Sequence, residues 1–124
     1  MENFPARAPR LIASDIDGTL LDRNHRVPRR NRDAVARAVQ QGAYFALSTG
    51  RPFRWIAPVL EQLPVRPVCV TSNGAVLYDS AEDRVMSAHE LSPAALAEVV
   101  DVAQTVLGTC LLYTSPSPRD GLLS

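Results

Sequence analysis

A short acidic motif at the end of an apolar run constrains this chain more than any other feature of its sequence. The run Leu11–Ala13 is typical of a buried β-strand, and two aspartates one residue apart, Asp15 and Asp17, follow it. Side chains at i and i+2 of an extended chain share a face, so the two carboxylates can converge just past the carboxyl end of the strand. Gly18 then lets the backbone turn sharply. Open α/β sheets bind ligands at this edge, which makes the motif the candidate centre of a site.

Two carboxylates held this close repel each other, unless a cation lies between them or one of them carries a proton. A divalent cation bound by one or two carboxylates together with a substrate phosphate is the usual arrangement for magnesium. Two other interpretations of the spacing are open. A calcium-binding loop is disfavoured because its third oxygen ligand and its terminal glutamate are absent. The metal-binding Asp-x-Asp of a glycosyltransferase is disfavoured by the position directly after an N-terminal strand.

Helices and strands alternate along the rest of the chain. In chain order, the pattern predicts a helix over 28–41, a strand over 43–47, a helical segment over 52–63, a strand over 68–71, a hairpin from 76–78 and 85–86, and a helix over 92–107. Pro58 lies inside the second helical segment and implies a kink or an early break. The order strand, helix, strand, helix, strand predicts an α/β fold with a parallel sheet and right-handed crossovers.

Each of the three leading strands ends in a polar loop that contains glycine, and parallel strands bring their ends to one edge of the sheet. The second loop is Ser48–Arg51 and the third is Ser72–Gly74. Taken alone, Thr49 with Gly50 is typical of a helix start, and Asn73 with its glycine is typical of a hairpin turn. The three loops together favour a shared ligand site.

These loops, in this order, resemble those of the haloacid dehalogenase (HAD) superfamily, and more narrowly those of the Cof-like sugar-phosphate phosphatases. The resemblance covers about residues 11–107. It implies a partial Rossmann-like core with strand order 3-2-1. The expected organisation is an N-terminal tail over 1–10, the N-terminal half of the core over 11–91, the first helix of a cap domain over 92–108, and a disordered or non-native tail over 109–124.

The resemblance assigns a chemical role to each aspartate. Asp15 matches the nucleophile, which attacks phosphorus and becomes an aspartyl phosphate. Asp17 matches the acid/base, which protonates the leaving oxygen and then activates water, so its proton must be held near neutral pH in a partly desolvated site. The family also binds Mg²⁺ through a side-chain oxygen of the residue matching Asp15 and the backbone carbonyl of the residue matching Asp17.

The other two loops match the phosphate-binding part of the family site. Thr49 matches a residue that hydrogen-bonds the transferring phosphoryl group. The backbone N–H of Gly50 and the side chain of Asn73 would help to hold phosphate or substrate. Arg51 would reach a substrate anion as a supporting residue, although an arginine in such a position is more often solvated.

Two parts of the family pattern are missing from the 124 residues. All 13 basic residues are arginine, so the lysine that neutralises the nucleophile is absent. The later glycine-aspartate motif that completes the magnesium shell does not follow Asn73. The expected explanation is truncation, with the C-terminal half missing, and we expect very weak magnesium binding and little or no phosphatase activity. The alternatives are a non-catalytic fragment that at most binds an anion, and a phosphomutase of the same superfamily.

Composition excludes several other classes of protein. The formal net charge of +0 implies no broad attraction to nucleic acid or anionic membranes. The arginines over 26–32 are interpreted as a solvated helix face. An RNA-binding role is the alternative, and it is disfavoured because aromatic residues are not interleaved with the arginines. No apolar run is long enough to span a bilayer. Cys69 lies in an apolar run and is expected to be a buried thiol. The sequence therefore predicts a cytoplasmic protein with a small phosphorylated substrate and no nucleic-acid or membrane partner.

Overall fold

The structure of the protein is a computed structural model that describes residues 7–108. Its regular elements are the strands β1 (Leu11–Ser14), β2 (Tyr44–Ser48), β3 (Val68–Thr71), β4 (Val76–Asp79) and β5 (Arg84–Ala88), and the helices α1 (Arg29–Gln40), α2 (Ala57–Leu60) and α3 (Pro93–Leu107). The predicted tail over 109–124 and most of the tail over 1–10 lie outside the described residues. Within the described part of the chain, no helix has both the length and the hydrophobicity needed to cross a membrane.

The five strands form one sheet in the order β1-β2-β3-β4-β5. The first three are parallel, with Ser14 beside Leu47 and Leu47 beside Cys69. This arrangement confirms the predicted parallel order of the first three strands, and the antiparallel β4 and β5 confirm the predicted hairpin. The sequence did not indicate that β4 also pairs with β3, with Thr71 beside Val76.

One face of the sheet carries the hydrophobic core. Leu47 and Cys69 are fully buried there, and Val35 of α1 and Val59 of α2 cover them. Cys69 is the buried thiol that the sequence predicts, and burial raises its pKa to about 11. Since a buried strand residue must alternate with one on the other face, the core is built from every second residue of β2 and β3.

The opposite face of the parallel strands is exposed in the described part of the chain. Leu11 is 60% exposed and Tyr44 is 77% exposed, and the two are register partners on this face. The predicted order 3-2-1 is confirmed and leaves β1 at the edge of the sheet. The interpretation of Leu11–Ala13 as a buried run is wrong, because every second residue of β1 is open to solvent. Parallel sheets are normally covered on both faces, and the helices of residues 7–88 cover only one of them.

The segment predicted as a helix over 52–63 is divided in two. A single 3₁₀ turn spans Phe53–Trp55, and α2 begins only at Ala57. Pro58 lies in the first turn of α2, where a missing backbone N–H costs no hydrogen bond. The early break that this proline implied is confirmed.

The described chain divides into two compact units between Ala88 and His89. The second unit contains α3, whose predicted start and end are confirmed. The Ser92 hydroxyl caps the helix by accepting a hydrogen bond from the Ala95 N–H at 3.1 Å, and Gly108 follows the last turn with φ of +74°.

We expect Leu47→Ala to destabilise the protein by about 2–5 kcal/mol, because it leaves a cavity in the core. Tyr44→Ser, in the same strand β2 but on the exposed face, should lower the free energy of unfolding by less than about 1 kcal/mol. Urea denaturation of both variants measures the difference. Equal losses would contradict the assignment of the two faces.

Candidate functional site

Asp15 is held at the end of β1 by a short turn with buried anchors. Its side chain accepts a hydrogen bond from the Ile16 N–H at 2.8 Å. The five-residue turn Ile16–Leu20 is closed by the Leu21 N–H, which donates to the Ile16 carbonyl at 3.1 Å. Ile16 is fully buried and Leu20 is nearly so, which fixes the turn to the core. Gly18 has φ of +73°, as the sharp turn requires.

The loops after β2 and β3 are joined by backbone hydrogen bonds. The Thr49 N–H donates to the Val70 carbonyl at 2.9 Å, and the Asn73 N–H donates to the Thr49 carbonyl at 3.1 Å. The Ser72 N–H donates to the Arg51 carbonyl at 3.0 Å. The two loops therefore extend the pairing of the parallel strands beyond the sheet and act as one support for the site.

The third loop follows an unusual backbone path. Ser72, Asn73 and Gly74 have successive φ values of +51°, +55° and +99°. A residue with a β-carbon is strained in this left-handed region, and such strain persists only where the surroundings enforce it. Gly50 lies so close that a β-carbon there would be 2.9 Å from the Asn73 Oδ1 atom. Glycine at position 50 thus permits the Asn73 amide to lie over the second loop.

A cavity of about 340 Å³ opens where the three loops meet. Its lining residues are Asp15, Ser48, Thr49, Gly50, Val70, Asn73 and Gly74. The structure thus brings together four of the six predicted site residues, one from the first loop and the others from the second and third. The cavity places one carboxylate opposite a hydroxyl, an amide and glycine backbone.

Sequence reasoning did not select Ser48, Val70 or Gly74 as lining residues. Each lies at the end of a strand or next to a predicted site residue. Since the side-chain direction there depends on the exact strand end, the sequence pattern carried no signal that would have separated them from their neighbours.

The remaining two predicted residues, Asp17 and Arg51, bind each other beside the cavity. The Arg51 Nε donates to Asp17 Oδ2 at 2.7 Å, and Nη2 donates to Oδ1 at 2.5 Å. A third guanidinium hydrogen bond reaches the Trp55 carbonyl at 3.4 Å. Such a two-pronged arginine–carboxylate pair is the strongest form of side-chain ion pair.

This pair corrects the expectation for Asp17. The carboxylate is only slightly desolvated, since the side chain is 52% exposed. Hydrogen bonding and the charge of Arg51 lower the pKa of Asp17, and the pKa of Arg51 is raised in turn. A carboxylate held in this way is ionised at neutral pH, so in the described arrangement it has no proton to donate.

The donor set in the cavity falls short of a magnesium shell. Asp15 supplies one carboxylate, while the carboxylate of Asp17 is taken by Arg51. Within residues 7–108, no three acidic, histidine or cysteine side chains come close enough to hold a metal ion. Magnesium prefers about six oxygen ligands, so these residues alone do not fit it as a tightly bound ion.

Comparison with known proteins places this geometry in a family. The sequence model described as haloacid dehalogenase-like hydrolase matches residues 12–117. The chain belongs to the haloacid dehalogenase-like hydrolases. As this match predicts, the HAD-like hydrolase of known structure from Bacillus subtilis superposes with a TM-score of 0.70 at 28% identity, covering 79% of this chain and 34% of that one.

Two curated phosphatases of Bacillus subtilis are similar to this chain. One is the phosphatase YwpJ, 37% identical over 70 residues, which are 56% of this chain and 25% of YwpJ. The other is the 5-amino-6-(5-phospho-D-ribitylamino)uracil phosphatase YcsE, 37% identical over 71 residues, which are 57% of this chain and 28% of YcsE. The chain spans about a quarter of the length of these relatives.

Replacing Arg51 should release Asp17 from its ion pair. We expect Arg51→Gln to raise the pKa of Asp17 toward its ordinary value of 3.8, because the hydrogen bonds and the positive charge that favour the carboxylate are gone. Carbon-detected NMR titration of the carboxyl group measures this pKa. Arg54→Gln, at a neighbouring exposed arginine, is the control and should leave it unchanged.

The same ion pair gives a sign for the pH dependence of stability. Because the pKa of Asp17 is lower in the folded protein, the pair stabilises the fold above the unfolded pKa, and this contribution is lost as the pH falls through the folded pKa. The contribution is small because the carboxylate is half exposed. If the pKa of Asp17 were the same in the Arg51→Gln variant as in the original chain, the ion pair would be contradicted.

Backbone strain in the third loop can be tested with a matched pair of variants. Asn73→Ala should be about 1 kcal/mol less stable than Asn73→Gly, because alanine is strained in the left-handed region and glycine adopts it without strain. Thermal or urea unfolding of the two variants gives the difference. Greater stability of the alanine variant would show that position 73 is not left-handed.

Proposed function

We propose that this chain is the phosphoryl-binding part of a magnesium-dependent phosphatase that hydrolyses a small phosphate monoester, such as a sugar phosphate. The observation that carries the proposal is that Asp15, Thr49, Gly50 and Asn73 line one and the same cavity. Family membership and the phosphatases among its relatives support it. Substrate class and metal dependence follow from the family resemblance.

We take the roles of the two aspartates from the family resemblance. An Asp15 oxygen attacks phosphorus, the ester P–O bond breaks, and an aspartyl phosphate forms. Asp17, once protonated, gives its proton to the leaving alcohol oxygen. In the second step Asp17 takes a proton from water, the water oxygen attacks phosphorus, and inorganic phosphate leaves with Asp15 restored. Asp17 must first part from Arg51, because the ion pair keeps it ionised.

The second and third loops supply uncharged hydrogen-bond donors to the phosphoryl group. The Thr49 Oγ1 accepts from the Arg51 N–H at 3.0 Å, which leaves its own hydrogen available to a ligand. The Gly50 N–H and the Asn73 amide are the other candidate donors at the cavity. Donors fixed in advance stabilise charge that develops on phosphoryl oxygens without having to reorient.

Magnesium is the cofactor that the family implies, with Asp15 and the Asp17 carbonyl as its first ligands. When bound, it would neutralise charge on the phosphoryl oxygens. The residues between 7 and 108 do not complete its shell, so further ligands would be needed to hold it tightly. We also propose that the core ends by residue 91 and that α3 opens a cap domain, which the division near Ala88 supports.

Binding of a phosphate monoester to the cavity tests this function. In an NMR titration with glucose 6-phosphate and magnesium, the amides of Thr49, Gly50 and Asn73 should shift and saturate, whereas glucose should shift none of them. Asp15→Asn should bind the ester about tenfold more tightly, because it removes a carboxylate that repels the phosphate. Asp22→Asn, outside the cavity, is the control. Shifts elsewhere with none at these three amides would contradict the proposal.

We expect this chain of 124 residues to hydrolyse no phosphate ester. With millimolar magnesium and a sugar phosphate, we expect no phosphate release above buffer, because no lysine neutralises the nucleophile and the phosphoryl oxygens. A phosphate-release assay measures this directly. Saturable turnover that is lost in Asp15→Asn would show that the chain has a neutralising group we have not recognised.

A further inference from the structure

An exposed cluster of arginines lies on α1 and the turn before it. It consists of Arg23, Arg26, Arg29, Arg30, Arg32 and Arg37, and we call it the arginine face. Between residues 22 and 37, these six arginines are opposed by Asp22 and Asp33 alone, which leaves a net charge of +4. Because the whole chain has a net charge of +0, the remainder carries −4. Overall neutrality thus conceals a strong separation of charge.

The folded helix directs this charge to solvent. Val35 is the buried residue of α1, and at about 100° per residue Arg29, Arg30 and Arg37 fall on the side opposite to it. Asp33 lies in the same stripe, and its Oδ2 is 3.8 Å from the Arg29 Nε, with the two side chains 65% and 87% exposed. An exposed pair at this distance neutralises little.

The other acidic residue is engaged in the turn itself. The Asp22 carboxylate accepts hydrogen bonds from the Asn24 N–H at 2.8 Å and from the Arg26 N–H at 3.0 Å. Among the described residues, the only side-chain ion pairs of arginine are Arg29 with Asp33 and Arg51 with Asp17. Most of the arginine face therefore has its guanidinium groups available to a partner.

The composition of the arginine face limits what that partner can be. None of the large exposed hydrophobic residues of the described chain lies between 22 and 37. A membrane-surface helix needs an apolar side to bury, and a protein interface needs aromatic or aliphatic anchors. Guanidinium groups alone, without such anchors, match a row of phosphates, which arginine binds through two parallel hydrogen bonds.

We propose that the arginine face binds the phosphodiester backbone of a nucleic acid without reading its bases. Between residues 22 and 37 the only aromatic ring is that of His25, so the affinity comes chiefly from charge. At 0.1 M salt, any acidic residue more than about 10 Å from the arginine face does not cancel its charge, because charges at that separation are largely screened. The interpretation of these arginines as a solvated helix face took the lack of interleaved aromatic residues as evidence against RNA, and binding to phosphates alone does not need such residues. The proposal is independent of the phosphatase cavity.

Fluorescence anisotropy with labelled oligonucleotides tests the proposal. We expect the chain to bind single-stranded uridine and adenine RNA of about 20 nucleotides and a DNA duplex of similar length, with affinities within about threefold of one another. If about four phosphates are neutralised, affinity should fall on the order of 100-fold between about 50 and about 200 mM salt. A strong preference for one base would overturn recognition through the backbone alone.

Charge reversal at matched positions separates this surface from general electrostatics. The triple variant R29E/R30E/R37E should weaken binding at least about tenfold. The triple variant R54E/R66E/R84E makes the same change in net charge at exposed arginines elsewhere and should bind within about twofold of the original chain. Circular dichroism confirms that both are folded.

Three results would overturn the proposal: no binding at low salt, equal losses in the two triple variants, or binding to phosphatidylserine vesicles in place of the oligonucleotides. The last would assign the arginine face to a membrane surface.

Discussion

The site depends on the parallel pairing of β1, β2 and β3, which brings three strand ends to one edge. Because the side chains alternate, the register that buries Leu47 and Cys69 also determines where Asp15 and Thr49 emerge. A slip of one residue would turn the core side chains to solvent and move the catalytic candidates out of the cavity. Core packing and site geometry are thus two consequences of the same backbone hydrogen bonds.

The loops continue this pairing past the sheet. The hydrogen bonds from Thr49 to Val70 and from Asn73 to Thr49 hold a strained left-handed path that an isolated loop would not maintain. Beside them, Arg51 holds Asp17 ionised and outside the cavity. The described arrangement therefore has the proposed nucleophile and the candidate phosphate donors at the cavity, while the proposed acid/base, Asp17, is engaged by Arg51.

Much of this could be predicted from the sequence, because the strongest signals were local. The strand and loop order, the helix caps at Ser92 and Gly108, and the hairpin each followed from residues close together in the chain. The features that were missed depend on distant neighbours. The exposure of Leu11 depends on what packs on the sheet, and the pairing of Arg51 with Asp17 joins residues 34 positions apart. Four of the six predicted site residues meet in one cavity, and the chemical roles of all six stay predictions.

A crystal structure of the chain soaked with tungstate, a heavy-atom mimic of phosphate, tests the central claim most directly. We predict anomalous density for tungsten in the cavity. The tungstate oxygens should lie within hydrogen-bonding distance of the Gly50 N–H and the Asn73 amide, and the Asp15 carboxylate should face the tungsten atom. An Asp15 carboxylate turned into solvent away from Thr49 and Asn73, with tungstate bound only elsewhere, would contradict it.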